Sequence, residues 1–327
     1  MSLITIAIPT YNRENQLRKC LSSICNQLDP LSDKVDILVS DNSSDYDVSN
    51  IIMEFKKLGY PINLNINEEN MGMTNNFKFC LSSAIGEYVW LFSDDEYLSD
   101  NKLCEIVDII NENKPNLIFI NNSRVKKNAN DISINYKELG KDKFIIEVGM
   151  YPTLISKNIF KKSVIEEFLN DEYKTLFLHV SLFYKVIRKY DNLAIIDGDI
   201  FTITPGNSSG YKWFETFIID LTEILDMNDD IINKNSRKYL DNQLLKYYYF
   251  KQFLSAGMGK IKKKRDILEN FNDEDFKSVY KMIKSKFLQR RNFWIYIFSV
   301  YIMPKKVRIL LYSFLMEYVL PVYRKKD

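Results

Sequence analysis

The sequence predicts an α/β protein: a parallel sheet covered by helices over residues 1–206, then a mainly helical region over 207–327. Three observations predict it. Strand-like and helix-like stretches alternate from the N-terminus in a βαβαβαβ order, which a parallel sheet with crossover helices requires. Each of the first four strand-like stretches runs into a polar cluster at its C-terminal end. After "PGNSSG" (205–210) the strand signals stop and apolar residues recur at helical spacing.

Taken in order, "LITIAI" (3–8) is a β-branched run closed by Pro9. "ENQLRKCLSSICNQL" (14–28) sets Leu17, Leu21, Ile24 and Leu28 on one helical face. "VDILVS" (35–40) is the second strand, followed by a polar turn and a helix around 48–58. "INLNI" (62–66) is the third strand, "TNNFKFCLSSA" (74–84) the third helix and "EYVWLFS" (87–93) the fourth strand. Beyond it the pattern loosens into short strands, "NLIFINN" and "FIIEV", then a helix around 173–189 and the strands "LAIID" and "IFTIT". From 211 onward the period is helical, most clearly in "KYLDNQLLKYYYFKQFLSAG" (238–257).

The totals narrow the function classes. With 327 residues and 46% hydrophobic residues the chain supports a substantial core. Four cysteines without a CxxC pair, and a single histidine, His179, argue against a structural zinc site. The first residues lack a basic n-region and a long apolar stretch, which points to a cytoplasmic protein. No segment reaches the length of a spanning helix. Neither GxxxxGK[ST] nor GxGxxG follows the first strand, so a P-loop NTPase and a dinucleotide-dependent dehydrogenase are both disfavoured.

Ligands of an open parallel sheet bind beyond the carboxyl ends of its strands. Here those ends carry "PTYNR" (9–13), "DNSSD" (41–45), "NEENMG" (67–72) and "SDDE" (93–96), which together describe one pocket. Asp94, Asp95 and Glu96 are its sharpest feature. Carboxylates so close either raise one another's pKa or hold a hard cation, Mn2+ or Mg2+, that binds a diphosphate. The same three acids also read as a solvated turn capping the helix that starts near Asp100. Without Gly-rich phosphate cradles, the remaining phosphate charge falls to side chains such as Arg13 and Lys78.

"ITIAIPTYNR", "ILVSDNSSD", "NMG" with "NNF" after it, and "GEYVWLFSDDEYL" together resemble the nucleotide-binding half of family 2 glycosyltransferases, whose fold is GT-A and Rossmann-like. The resemblance covers about residues 1–210 and weakens after 125. It implies that Pro9, Thr10 and Tyr11 hold the nucleobase and ribose with Arg13 assisting, and that Asp41 accepts a hydrogen bond from the base. It also places Asn70, Gly72 and Asn76 in the loop flanking the nucleotide. Residues 93–96 correspond to the family's DxD motif with Ser93 in place of the first acid. Asp95 is then the best-matched metal ligand, with Asp94 and Glu96 as supporting ligands or sugar contacts, Glu96 counted with the metal site and Asp94 with the catalytic residues. Pro9 and Gly72 also read as turn formers, and Tyr11 as a packing residue.

Inverting members of that family carry Glu-Asp at the start of a helix, the Asp serving as base. Here the two positions are Leu178 and His179, so the resemblance implies His179 as the base that activates the acceptor hydroxyl. Its apolar neighbours equally suit a core histidine, with Asp171 or Glu172 as the alternative base. The implied reaction is transfer of a sugar from a nucleotide-sugar donor to a saccharide or lipid-linked acceptor, in surface polysaccharide synthesis. Two further readings are a non-catalytic nucleotide-binding scaffold and a nucleotidyltransferase. Lys212 and Trp213, in "TPGNSSGYKW" (204–213), fall where the family has a loop closing over the diphosphate; the stretch also reads as a linker.

Residues 284–327 hold ten Lys/Arg against Glu317 and Asp327, a local +8 in a chain of net +2. Aromatic-rich apolar runs alternate with these basic clusters and Pro304 divides them, as in a helix lying at a membrane interface. The segment 285–327 therefore predicts peripheral contact with the inner face of the plasma membrane. A packed helix hairpin and a homodimer surface are the alternatives. No nucleic-acid-binding motif is present, so nucleic acid is not an expected partner.

Overall fold

The computed structural model describes residues 2–122, 135–173, 175–203, 213–258 and 273–315. The chain divides into two compact units, Met1–Phe144 with Tyr151–Thr204, and Ile145–Met150 with Pro205–Asp327. The boundary expected at 206 falls in 204–212, outside the described residues.

In the first unit, β1 (Ile4–Thr10), β2 (Val35–Asp41), β3 (Ile62–Ile66) and β4 (Tyr88–Leu91) form the parallel half of an eight-stranded sheet. Their spatial order is β3-β2-β1-β4. All seven residues of β1 are buried, as a central strand covered on both faces requires. Its pairing with β4 spans only Ile4 to Ala7, so Pro9 lies beyond that ladder and its missing N–H leaves no pair unmade there. Pairing with β2 continues to Thr10↔Asp41, which sets those two residues side by side at the rim.

The covering helices follow from their apolar spacing. α1 (Glu14–Cys25) buries Leu17, Cys20, Leu21, Ile24 and Cys25. α2 (Val48–Lys57) is capped by Asp47, whose side chain accepts from the Ser49 N–H, and buries Val48, Ile51, Ile52 and Phe55. α3 (Met73–Ser83) begins after Gly72, whose φ of 83° is open to glycine without strain. Gly86, just before β4, has another reason to be glycine: a Cβ there would lie 2.6 Å from the backbone N of Thr5.

After β4 come β5 (Glu96–Leu98), α4 (Lys102–Asn113), β6 (Leu117–Asn121), β7 (Asn135–Leu139) and α5 (Lys141–Val148). They are followed by β8 (Asn158–Lys161), α6 (Lys162–Ile165), α7 (Leu178–Lys189), β9 (Leu193–Asp197) and β10 (Phe201–Ile203). The sheet continues β4-β8-β6-β9-β7, with β8 antiparallel to both β4 and β6, while β5 and β10 form a separate antiparallel pair. The second half of the sheet is thus mixed. "FIIEV", expected as a strand, is helical within α5: Phe144, Ile145 and Val148 are buried while Ile146 is 39% exposed, a helical stripe that a short apolar run conceals. The helix expected from 173 begins at Leu178.

The second unit is helical apart from loops: α8 (Leu221–Asp226), α9 (Lys234–Gln243), α10 (Phe250–Ala256), α11 (Asp273–Phe287), α12 (Ser299–Ile302) and α13 (Lys305–Phe314). Its core is aromatic, with Phe253 stacked on Phe276 at 4.5 Å and the Tyr249 hydroxyl donating to the Phe217 carbonyl. Buried Asp241 is matched by Arg237 at 2.9 Å and Arg290 at 2.6 Å. No helix among the described residues is long and apolar enough to cross a membrane.

Candidate active site

Four loops meet at the carboxyl end of the parallel strands, and hydrogen bonds lock them together. In the first, Asn12 takes a left-handed φ of 53°, which asparagine tolerates, and faces the second loop. Its side chain donates to Asp45 Oδ2 at 2.8 Å and accepts from the Asp45 N–H at 2.7 Å. Asp41 is 2% exposed and accepts from the Ser44 hydroxyl at 2.6 Å and the Ser44 N–H at 3.2 Å. This Asx turn orients the carboxylate that the sequence assigns to the base.

The third loop is tied to the second through amides. Asn42 donates to Asn70 Oδ1 at 2.8 Å, and its own carbonyl accepts from Asn67 and the Met71 N–H. Asn70 also accepts from the Gly72 N–H at 3.0 Å. Asn76 is 3% exposed and bonded on both sides: it accepts from Ser40 Oγ at 2.6 Å and donates to the Ser40 carbonyl at 3.1 Å. Its expected contact with nucleotide is corrected to a structural bracket between β2 and α3, because its amide is already engaged inside the protein. Lys78 is half-buried on α3 and has no ion pair among the described residues. Tyr11 is 44% exposed and is not a core residue.

The fourth loop brings the acids. Asp94, 2% exposed, accepts from Arg13 Nη1 at 2.7 Å and from the Thr10 hydroxyl at 2.8 Å. Burial pushes its pKa up to about 6, against the opposing pull of Arg13 and Thr10. Arg13 also reaches to 3.8 Å from Asp95, whose other oxygen accepts from the Ser93 hydroxyl. The serine standing where the family pattern has an acid thus steers the acid that follows.

Glu96 follows this pair at the start of β5. It stands across from Ile203 in the β5–β10 ribbon and senses Ser156 and Lys157. Burial raises its pKa to about 7, and Oε2 is buried without a hydrogen-bond partner. Lys157, 5% exposed, lies over the rings of Phe119 at 5.4 Å and Tyr151 at 4.6 Å. Burial lowers its pKa to about 8, with Glu96 opposing. Ser156 supports the loop twice, accepting from the Ser93 N–H through its hydroxyl and from Trp90 Nε1 through its carbonyl.

Among the described residues no group of three or more His, Cys, Asp or Glu is placed to hold a metal ion. A cation shared with a diphosphate needs only one or two protein carboxylates. Asp95, 7% exposed and steered by Ser93, fits that requirement. Glu96 senses Asp95 and Asp94 as well as Ser156 and Lys157, so it stays beside the acid expected to be the ligand. Asp94 is already bound by Arg13 and Thr10, so part of the repulsion among the acids is relieved by protein cations and by partial protonation.

His179, expected as the base, is corrected to a core residue. It is 2% exposed, its Nε2 donates to the Thr153 carbonyl at 3.0 Å, and Phe77 and Phe177 meet its ring edge-on. Burial lowers its pKa to about 4. Asp171 is ion-paired with Lys185. Trp213 packs against Phe217 at 4.6 Å in the second unit, and Lys212 lies outside the described residues. Sequence reading missed Asn12, Asn42, Ser44, Ser156 and Lys157. The first three sit inside quoted motifs and were legible as turn residues, whereas nothing in the sequence sets 156–157 beside 93–96.

The rim of the parallel strands thus carries a buried aspartate, Asp41, and an arginine between two carboxylates, at the place where open α/β sheets bind ligands. The chain belongs to glycosyl transferase family 2, whose family model matches residues 5–174. It is a glycosyltransferase with the GT-A fold. Abequosyltransferase RfbV of Salmonella typhimurium (strain LT2) is 25% identical over 299 residues, covering 82% of this chain and 88% of that protein. Staphylococcus aureus TarS 1–349, solved in complex with UDP-GlcNAc, superposes with a TM-score of 0.58 at 17% identity, over 77% of this chain and 75% of that one. Mannosyltransferase PcManGT from Pyrobaculum calidifontis, solved with GDP-Man and Mn2+, superposes with a TM-score of 0.56 at 12% identity, over 99% and 88%.

Proposed function

We propose that the chain transfers a sugar, with inversion, from a nucleoside-diphosphate donor to a hydroxyl of a saccharide acceptor during synthesis of a bacterial surface polysaccharide. The observation that carries this reading is the Arg13–Asp94–Asp95 cluster on the same rim as Asp41, four side chains drawn from three strand ends. Asp41 accepts from the base N–H, Tyr11 stacks on the base, and Arg13 faces the diphosphate while fixing Asp94. Asp95 would hold Mn2+ or Mg2+, which supplies positive charge to the departing diphosphate. Asp94, fixed by Arg13 and Thr10, and Glu96 lie buried beside Asp95. With His179 closed off, the base falls to Asp171 or Glu172 ahead of α7. The acceptor is lipid-linked on the reading of the basic tail, and the enzyme works at the inner face of the plasma membrane.

Thermal shift with UDP, dTDP, CDP and GDP, each with and without Mn2+, tests this reading. Stabilisation by one nucleotide, enhanced by Mn2+ and absent in Asp95→Ala, is expected; no stabilisation by any of them overturns it. The buried His179 favours one second reading, a nucleotide-binding scaffold without a base. That reading gains if nucleotide binds while wild type and Asp95→Ala hydrolyse all donors equally slowly.

A further inference from the structure

We infer that Lys157, together with Glu96, forms a subsite that reads one hydroxyl group of the transferred sugar. Both side chains are 5% exposed, and neither has the partners that buried ionisable groups ordinarily have. Among the described residues Lys157 makes no hydrogen bond and no ion pair within 4.0 Å. Its ammonium lies over the rings of Phe119 at 5.4 Å and Tyr151 at 4.6 Å, which attract its charge but leave its N–H donors unfilled. Glu96 Oε2 is likewise buried without a hydrogen-bond partner. Each group lies in the other's field without touching it, so a ligand atom between them meets a donor on one side and an acceptor on the other. Of the two rings, Phe119 is 1% exposed and Tyr151 48%, so the ammonium stands between the core and the surface.

Charge selects what stands there. A phosphate or carboxylate would accept from Lys157 but would set a further anion against Glu96, Asp95 and Asp94, which already oppose one another. An ammonium group would suit Glu96 and repel Lys157. A hydroxyl is neutral, accepts from Nζ and donates to Oε2, and so answers both. Position says whose hydroxyl it is. Glu96 directly follows Asp95, the acid proposed to hold the cation of the donor's diphosphate, and Ser156, next to Lys157, accepts from the Ser93 N–H at 2.8 Å. The sugar is bonded to that diphosphate, so the hydroxyl within reach is the donor's own. The inference deepens the proposed function and rests on it for the identity of the ligand.

Calorimetry on the full chain with Mn2+ tests it. UDP, dTDP, CDP and GDP are compared with UDP-glucose, dTDP-glucose, CDP-glucose and GDP-mannose, and the readout is the ratio of conjugate to bare-diphosphate affinity for the nucleotide that binds. Lys157→Met keeps an unbranched apolar stem over both rings. Its ratio is expected to fall about tenfold, the worth of a hydrogen bond to a charged group, while bare-diphosphate affinity stays within about twofold of wild type and reports a folded variant. Monodeoxy forms of the conjugate need no substitution in the protein: in wild type one ring position carries a penalty of about tenfold, and in Lys157→Met that penalty disappears. An unchanged ratio in Lys157→Met overturns the inference and leaves Lys157 a bound water only. An equal loss for diphosphate and conjugate overturns it by assigning Lys157 to the phosphates, and so does the lack of any ring position whose penalty depends on Lys157. A wild type that binds none of the bare diphosphates sinks the proposed function and the inference with it, whereas the other results sink the inference alone.

Discussion

Arg13 Nη1 lies 2.7 Å from Asp94 Oδ1, a bond that joins the exit of β1 to the exit of β4 across 81 residues of sequence. Replacing Arg13 with alanine removes the cation proposed to face the diphosphate and takes the ion pair at 2.7 Å from buried Asp94. Donor affinity measured by calorimetry is expected to fall at least about tenfold, roughly 1.4 kcal/mol. Affinity within twofold of wild type would show that Arg13 is occupied by Asp94 alone.

The buried ionisable groups set a pH profile for stability in the absence of nucleotide and divalent cation. Asp94 and Glu96 have folded pKa values raised to about 6 and about 7, so the stability they contribute is complete below their unfolded values and is lost as pH rises through these values. Lys157 is depressed to about 8, so its contribution is complete above its unfolded value and is lost as pH falls through 8. His179, lowered to about 4, contributes stability that is complete above its unfolded value and is lost as pH falls through 4, so it offsets part of the acid-side rise and leaves a shallow minimum in Tm between pH 7 and 8 in a chelating buffer. Glu96→Gln flattens the acid side of that profile. A Tm that rises steadily from pH 5 to 8 would contradict the burial of these groups.

His179→Phe keeps a ring between Phe77 and Phe177 and loses the bond to Thr153. Transfer is expected to stay within about tenfold of wild type, whereas loss of a general base costs roughly 100-fold to 10,000-fold. A fall beyond 100-fold in a folded variant, with a matching change in the pH–rate profile, would restore His179 as the base.

Gly86→Ala places a methyl 2.6 Å from Thr5 N and 2.7 Å from Ile4 C, both backbone atoms of the central strand. Neither can rotate away, so unfolding free energy is expected to drop by about 3 kcal/mol in urea titration. A drop under about 0.5 kcal/mol would mean that β1 and the approach to β4 are less tightly apposed.

The parallel half of the fold was legible because β1, β2 and β4 are almost wholly buried apolar runs and its helices carry clear three-and-four spacing, as in Leu17, Leu21 and Ile24. The rim residues were legible for the same reason: strand ends in such a sheet point to one place. Tertiary partners were not. His179 stands where a base is expected, and only packing against Phe77 and the Thr153 carbonyl distinguishes a core ring from a catalytic one. Glu96 shares a sequence cluster with Asp95, yet its neighbours Ser156 and Lys157 come from about 60 residues further along the chain, and no local pattern announces them. Lys157 was invisible because periodicity gives no hint that β8 runs against its neighbours.

That reversal has a consequence for how such a pocket can diversify. Parallel strands deliver to the rim only the residues that leave the sheet, whereas β8, running the opposite way, delivers the residues that enter it, Ser156 and Lys157. One wall of the site is therefore fed by chain arriving from upstream: Ser156 braces the exit of β4 through the Ser93 N–H, whereas the Lys157 side chain can be exchanged without breaking that brace. Selectivity for the transferred group could drift on that wall while the grip on the nucleotide stays fixed.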